Sequence, residues 1–302
     1  MNKESLTVVQ LESGKIINEA LEINVVHHCN LRCKSCSHAS PHFKKHYSDP
    51  SSIYKDLRIM SSCYKPDHIR LVGGEPLLHP SFLEVLLSIK RSGICNKIRL
   101  LTNGILLSRA DENIWAELSE IHVSVYPGFE LSESASDKIA GLAHEHNVTV
   151  KLMYFGKFRE SYSYIAQSDK TLTSRIYNTC QIAHSWRCHT ISDGYFYKCP
   201  QSLFLPAIIN QIAGEFRVEI SERPDLRDNL ISFIQSKNPL KSCNFCLGSV
   251  GSLFEHRQQP RILPNNEGFP GNIDMKFLLA LEENPDIDNG CCTSEVDLYS
   301  RV

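Results

Sequence analysis

The sequence predicts an α/β fold built on a mostly parallel sheet, and three observations carry that reading. Short runs rich in Val, Ile and Leu alternate with segments of helical period through the first half, most of those runs end in a turn signal, and a cysteine-rich loop follows the first of them. The runs are LEINVV (21–26), HIRLVGG (68–74), KIRLLTNG (97–104), IHVSVYPG (121–128) and VTVKLMYFG (148–156). Helix-like stretches fall between them at about 51–63, 81–92, 111–119 and 132–146. In the second of these, Ser81 precedes Glu84 by three in a capping-box pattern. FLEVLLSIKRSG then keeps apolar residues on one face until Gly93. Gly73-Gly74, Asn103-Gly104 and Pro127-Gly128 close the second, third and fourth runs, and strand C-termini are where α/β folds place ligand sites.

Composition narrows the function. At 302 residues the chain has ample material for a core, and 32 Lys and Arg against 34 Asp and Glu leave no basic stripe for nucleic acid. The first residues lack the apolar centre of a signal peptide, and no window reaches the 18 or so apolar residues of a membrane span. A cytoplasmic protein acting on a small-molecule substrate, without nucleic acid or membrane as partner, is expected. Twelve cysteines in a reducing compartment then point to metal binding ahead of disulfides. Cys63, Cys95, Cys291 and Cys292 stand apart from the clusters and read as small buried or incidental thiols.

The stretch CNLRCKSCSHAS places Cys29, Cys33 and Cys36 in a C-x3-C-x2-C pattern just after the first strand. Three thiolates can hold three irons of a cubane [4Fe-4S] cluster and leave the fourth open, whereas an electron-transfer cluster takes four. A structural zinc site wants four closed ligands; His27, His28 or His38 would have to complete it, and iron–sulfur is the better reading. After the second strand, Gly73, Gly74, Glu75 and Pro76 form a GGEP segment whose glycines permit close backbone approach.

Together, C-x3-C-x2-C and GGEP resemble the radical S-adenosylmethionine (SAM) superfamily over roughly residues 20–156. The resemblance implies a partial (β/α)6 barrel and a catalytic [4Fe-4S] cluster on Cys29, Cys33 and Cys36, with SAM chelating the open iron. It further implies that Gly73, Gly74, Glu75 and Pro76 bind the methionine end of SAM, and that Thr102, Asn103, Ser124 and Tyr126 contact its ribose and carboxylate. The family usually has an aromatic residue before the third cysteine to pack on adenine; here that residue is Ser35, with His38 a possible substitute.

In the second half, Asp193-Gly194 marks a hairpin between Thr-, Ile-, Tyr- and Phe-containing runs, and Cys180, Cys199, Cys243 and Cys246 together would close a four-thiolate site. The pattern C-x13-G-x4-C followed by C-x2-C resembles the twitch domain, a shortened SPASM extension, and implies one auxiliary [4Fe-4S] cluster on those four residues. Cys188 competes with Cys180 for the first position, and a zinc ribbon is the plain alternative. The expected organisation is a core over 1–165, a twitch-type hairpin and helix domain over 166–255, and a C-terminal loop and short helix over 256–302.

By resemblance the chain is an enzyme of oxidoreductase or lyase type. It would cleave SAM to a 5′-deoxyadenosyl radical that takes hydrogen from a sugar, cyclitol or nucleoside-type substrate, with a flavodoxin- or ferredoxin-like reductant as partner. Two alternatives stand beside this: a peptide-modifying maturase, against which the short segment before the first strand argues, and a non-catalytic iron–sulfur or zinc protein. His79, Tyr126, Tyr154 and Arg187 are candidates for acid–base work. His38, His42 and His46 recur every four positions, but Pro41 breaks the helix that would align them, and ordinary loop histidines are expected.

Overall fold

The computed structural model describes residues 9–260 and 271–300. Most of the Pro-, Gly- and Asn-rich stretch at 256–272 lies outside the described residues, as does the start of the 1–165 segment. In chain order the strands are β1 (Gln10–Glu12), β2 (Lys15–Val26), β3 (Tyr64–Gly73), β4 (Ile98–Thr102), β5 (Glu120–Val125), β6 (Thr149–Tyr154), β7 (Lys157–Arg159), β8 (Thr190–Ser192), β9 (Tyr195–Tyr197), β10 (Val218–Glu219), β11 (Leu253–Glu255) and β12 (Ser294–Tyr299). The helices are α1 (Pro50–Met60), α2 (Phe82–Ser92), α3 (Glu133–His146), α4 (Lys170–Asn178), α5 (Pro200–Ile208), α6 (Leu226–Gln235) and α7 (Met275–Glu283).

The main sheet runs β10-β9-β8-β2-β3-β4-β5-β6-β12, with β1 hydrogen-bonded to β2 off that path. Strands β8, β2, β3, β4, β5 and β6 are mutually parallel, so the mixed α/β fold with a mostly parallel sheet, consistent with a partial barrel, is as expected. β2 is buried on both faces from Ala20 to Val26, the polar Glu22 and Asn24 included. Helix α2 forms because Phe82, Val85, Leu86 and Ile89 fall on one face, each contributing about 1.5–3 kcal/mol on burial. Asp49 caps α1 by accepting from Ser52 N, and Ser132 caps α3 by accepting from Ala135 N.

Several expectations change. Ser81 begins α2 without a capping bond from its side chain; its own N–H donates to His79 Nδ1 at 3.1 Å. The stretch at 111–119 forms a 3-10 turn, Glu112–Glu117, opened by Asp111, whose side chain accepts from Asn113 N. The tail carries α7 and also β12, which pairs antiparallel with β6. The sheet does not stop at residue 165: Asp193 (φ 49°) and Gly194 (φ 81°) make the expected tight turn between β8 and β9, and β8 joins β2 through Glu22 and Ile23. Among the described residues no helix is long and apolar enough to cross a membrane.

Candidate active site

The cysteine loop leaves the end of β2 and is fixed by the glycines that follow β3. Gly74 N donates to Val26 O at 2.7 Å and Glu75 N to His28 O at 3.1 Å. A Cβ on Gly73 would lie 2.1 Å from Val26 O, and one on Gly74 1.9 Å from His28 O. The close approach that the paired glycines permit is therefore to the chain's own backbone, immediately before Cys29. Glu75 lies behind the site, fully buried. It accepts from Leu77 N, Thr102 Oγ1 (2.7 Å) and Asn103 N (2.8 Å), locking the turn after β3 to the turn after β4. Burial raises its pKa while those bonds pull it back.

A cavity of about 360 Å³ opens in front of this frame. Cys29, Cys33 and Cys36 face it, with Gly73 and Gly74 from the end of β3, Thr102 and Asn103 from the end of β4, and Ser124 and Tyr126 at the end of β5. Ser35 and His38 line it as well, and Phe155 and Phe158 supply aromatic surface. Glu75, Pro76, His79, Tyr154 and Arg187 are not among its lining residues. His79 is held in the frame, its Nε2 bonded to Ser48 O and its Nδ1 to Ser81 N. Tyr126 stacks on His256 with ring centroids 4.7 Å apart.

The sulfurs receive N–H donors, as thiolate ligands do. Leu31 N donates to Cys29 Sγ at 3.3 Å, Asn103 Nδ2 to the same atom at 3.7 Å, and Gln258 Nε2 to Cys33 Sγ at 3.5 Å. Burial pushes both Cys29 and Cys33 up to about 12, so without a cation beside them these groups would stay protonated. Bridging by a metal cluster reconciles buried thiols with donors aimed at them, and the residues fit such a group.

A second, small chamber is lined by Cys180, Cys199, Cys243 and Cys246 together with Tyr177 and Lys198. Cys180 follows α4, Cys199 precedes α5, and the last two come from the Lys241–Asn244 turn and its exit. Burial raises all four, Cys199 to about 12 and Cys243 and Cys246 well above the ordinary thiol value. Lys198, 1% exposed, is lowered by burial to about 8 and donates to Tyr177 Oη and Ser236 O. An ammonium buried there calls for anionic neighbours. Among the described residues the group of three Cys, His or acidic donors that draws within 4.8 Å is His27, His46 and Asp193, so no three thiols do. A tetrahedral zinc with Zn–S near 2.3 Å needs sulfurs about 3.8 Å apart, and both cysteine groups are wider than that.

Cys188 does not enter the small chamber. It lines the large cavity beside Glu22, whose carboxylate is 3.1 Å from Arg70 Nη1 and accepts from Thr190 Oγ1 at 3.2 Å. Cys291 faces the large cavity too. Gln201 and Gly248 line both spaces and form the wall between them. Sequence reasoning missed Glu22, Gln201 and Gln258. A carboxylate inside the apolar run LEINVV was the signal for the first; nothing local marked the other two.

Residues 23–163 match the family model described as the radical SAM superfamily. A GTP 3',8-cyclase of Actinobacillus pleuropneumoniae serotype 7 is 31% identical over 110 residues, covering 35% of this chain and 32% of that protein. One of Microcystis aeruginosa is 30% identical over 128 residues, covering 40% and 37%. The chain thus spans about a third of the length of the curated relatives it matches. Among solved structures, BtrN in complex with AdoMet and 2-DOIA is similar at 16% identity and TM-score 0.44, over 76% of this chain and 92% of that one. SuiB of Streptococcus suis bound to S-adenosylmethionine is similar at 13% identity and TM-score 0.40, over 74% and 69%.

Proposed function

We propose, for a chain whose residues 23–163 match the radical SAM superfamily model, an enzyme that cleaves SAM and oxidises a sugar, cyclitol or nucleoside-type substrate. Supporting this is one arrangement: three thiols open on a cavity shared with the ends of three successive strands, while four others line a separate, nearly filled chamber. Cys29, Cys33 and Cys36 would hold a [4Fe-4S] cluster, and Cys180, Cys199, Cys243 and Cys246 a second one, a choice over Cys188 supported by its position in the lining of the large cavity. When bound, the first cluster and SAM supply one-electron cleavage and a 5′-deoxyadenosyl radical that takes hydrogen from substrate.

The chain's own residues orient and enclose. Gly73, Gly74, Thr102, Asn103 and Ser124 would hold SAM, with Glu75 and Pro76 keeping their turns in register from behind. Phe155, Phe158 and Tyr126 give the cavity apolar walls that exclude water. Glu22 and Gln201 are buried polar residues of the cavity lining, suited to substrate hydroxyls. Four thiol ligands leave no open coordination position, which suits the second chamber to electron exchange and the reaction to net oxidation. A flavodoxin- or ferredoxin-like protein would deliver the reducing electron.

Anaerobic reconstitution with iron and sulfide counting tests this on the wild type and on Cys29→Ala/Cys33→Ala/Cys36→Ala. About eight irons falling to about four, with 5′-deoxyadenosine formation abolished, is expected. Zinc in place of iron, or two clusters with no SAM cleavage under any reductant, overturns it.

A further inference from the structure

A convergence of donors lies outside both cysteine groups. His27, at the exit of β2, His46, in the segment that runs back along that exit, and Asp193, at the tip of the β8–β9 hairpin, bring one ligand atom each within 4.8 Å of one another. His46 Nε2 is 3.6 Å from Asp193 Oδ2, and the His27 and His46 rings are 4.0 Å apart at their centroids. Donors bound to one cation at about 2.0–2.2 Å lie a little over 3 Å apart, so the group needs only a small contraction.

Each donor is held by backbone that other elements fix. His27 N donates to His46 O, and Ser48 N to Val25 O at 3.0 Å, so the His46 segment is pinned to the end of β2. Gly194 N donates to Asp56 Oδ2 at 2.9 Å, tying the hairpin tip to α1, and Ser192 Oγ donates to Asp193 Oδ2 at 3.0 Å. The His27 ring packs edge-on to Phe43 and Phe204, and its Nε2 is sealed with no hydrogen-bond partner among the described residues. Asp193 is exposed, leaving a side open for water to complete a shell. Two imidazoles and one carboxylate select first-row divalent ions over Mg²⁺ or Ca²⁺.

We infer that His27, His46 and Asp193 form a binding site for a first-row divalent cation, Zn²⁺ foremost, that braces the strand exit leading into the cysteine loop against the β8–β9 hairpin. The site is independent of the two cysteine groups. It makes the spacing of His38, His42 and His46 irrelevant, because His46 finds its partners on other segments.

The test uses the full chain, reconstituted anaerobically, exposed to stoichiometric zinc sulfate and desalted, with iron, sulfide and zinc measured together. About one zinc per chain is expected in the wild type, lost in His46→Ala/Asp193→Asn with iron and sulfide unchanged. Both substituted side chains are partly exposed, and the unchanged cluster content shows that the variant is folded. Iron in excess of sulfide that the same variant removes also supports the site, with ferrous ion as occupant. A wild type that retains neither zinc nor excess iron overturns the inference, as does zinc that persists in the double variant.

Discussion

The two thiol groups are built in opposite ways. Cys29, Cys33 and Cys36 sit on one loop, held from behind by backbone contacts with Gly73 and Gly74 and facing a cavity of about 360 Å³. Cys180, Cys199, Cys243 and Cys246 come from separate segments and close on a chamber whose free volume is about 20 Å³, with Lys198 buried beside it. One arrangement keeps a face available for exchange of small molecules; the other removes every face. The difference teaches that the number of thiols and the room in front of them must be read together, since either alone would leave zinc, electron transfer and catalysis equally open.

The largest effect should come from testing membership of the closed group. Cys199→Ala should lose about four irons per chain, whereas Cys188→Ala, whose thiol faces the other cavity, should keep them all. Equal iron loss in both would erase the boundary drawn between the two spaces. Next is the backbone frame of the open group. Gly74→Ala forces a Cβ onto His28 O and should cost about 3 kcal/mol or more, read as a melting temperature lowered by roughly 5 °C or more. On the closed side, a Cβ at Gly248 meets the Ile176 side chain at 3.1 Å, with Cys180 Sγ and Ile176 O in ordinary contact at 3.5 and 3.6 Å, so the cost of Gly248→Ala should be nearer the 1–2 kcal/mol or so of a positive φ. A larger loss at Gly248 than at Gly74 would reverse the comparison. The smallest effect belongs to Gln258→Ala, which removes one bond to Cys33 Sγ and one from Arg32 N. It should lower stability by about 1 kcal/mol without changing iron content, checked by thermal melts beside metal analysis.

What the sequence made legible was local. The five Val-, Ile- and Leu-rich runs became β2 through β6, with β2 starting six residues earlier than its run and the others ending within two residues of theirs or at their turn signals, because apolar runs and turn residues are written in the chain. The segment at 111–119 keeps Ile114, Trp115 and Leu118 at helical spacing and all buried, yet folds as a 3-10 turn, so its periodicity alone did not decide the element. β12 was invisible because most of Ser294–Tyr299 is exposed and is ordered by pairing with an edge strand 140 or so residues away in the chain. The same limit explains the site. Cys29, Cys33 and Cys36 share one motif and could be read together, but the wall residue Gln201, the strap residue Gln258 and the join of β8 to β2 depend on contacts no local pattern encodes.

The shared wall of Gln201 and Gly248 also shapes how this protein can change over generations. A lineage altering its preference through Gln201 would reshape the thiol-lined chamber in the same step, so variation there is doubly constrained. Glu22, on β2, lines only the larger cavity but is bound to Arg70 and Thr190, whereas Trp186 lines that cavity half-exposed and stands outside the shared wall. Drift in specificity should therefore begin at positions such as Trp186, leaving the partition as the slowest part of the molecule to diverge.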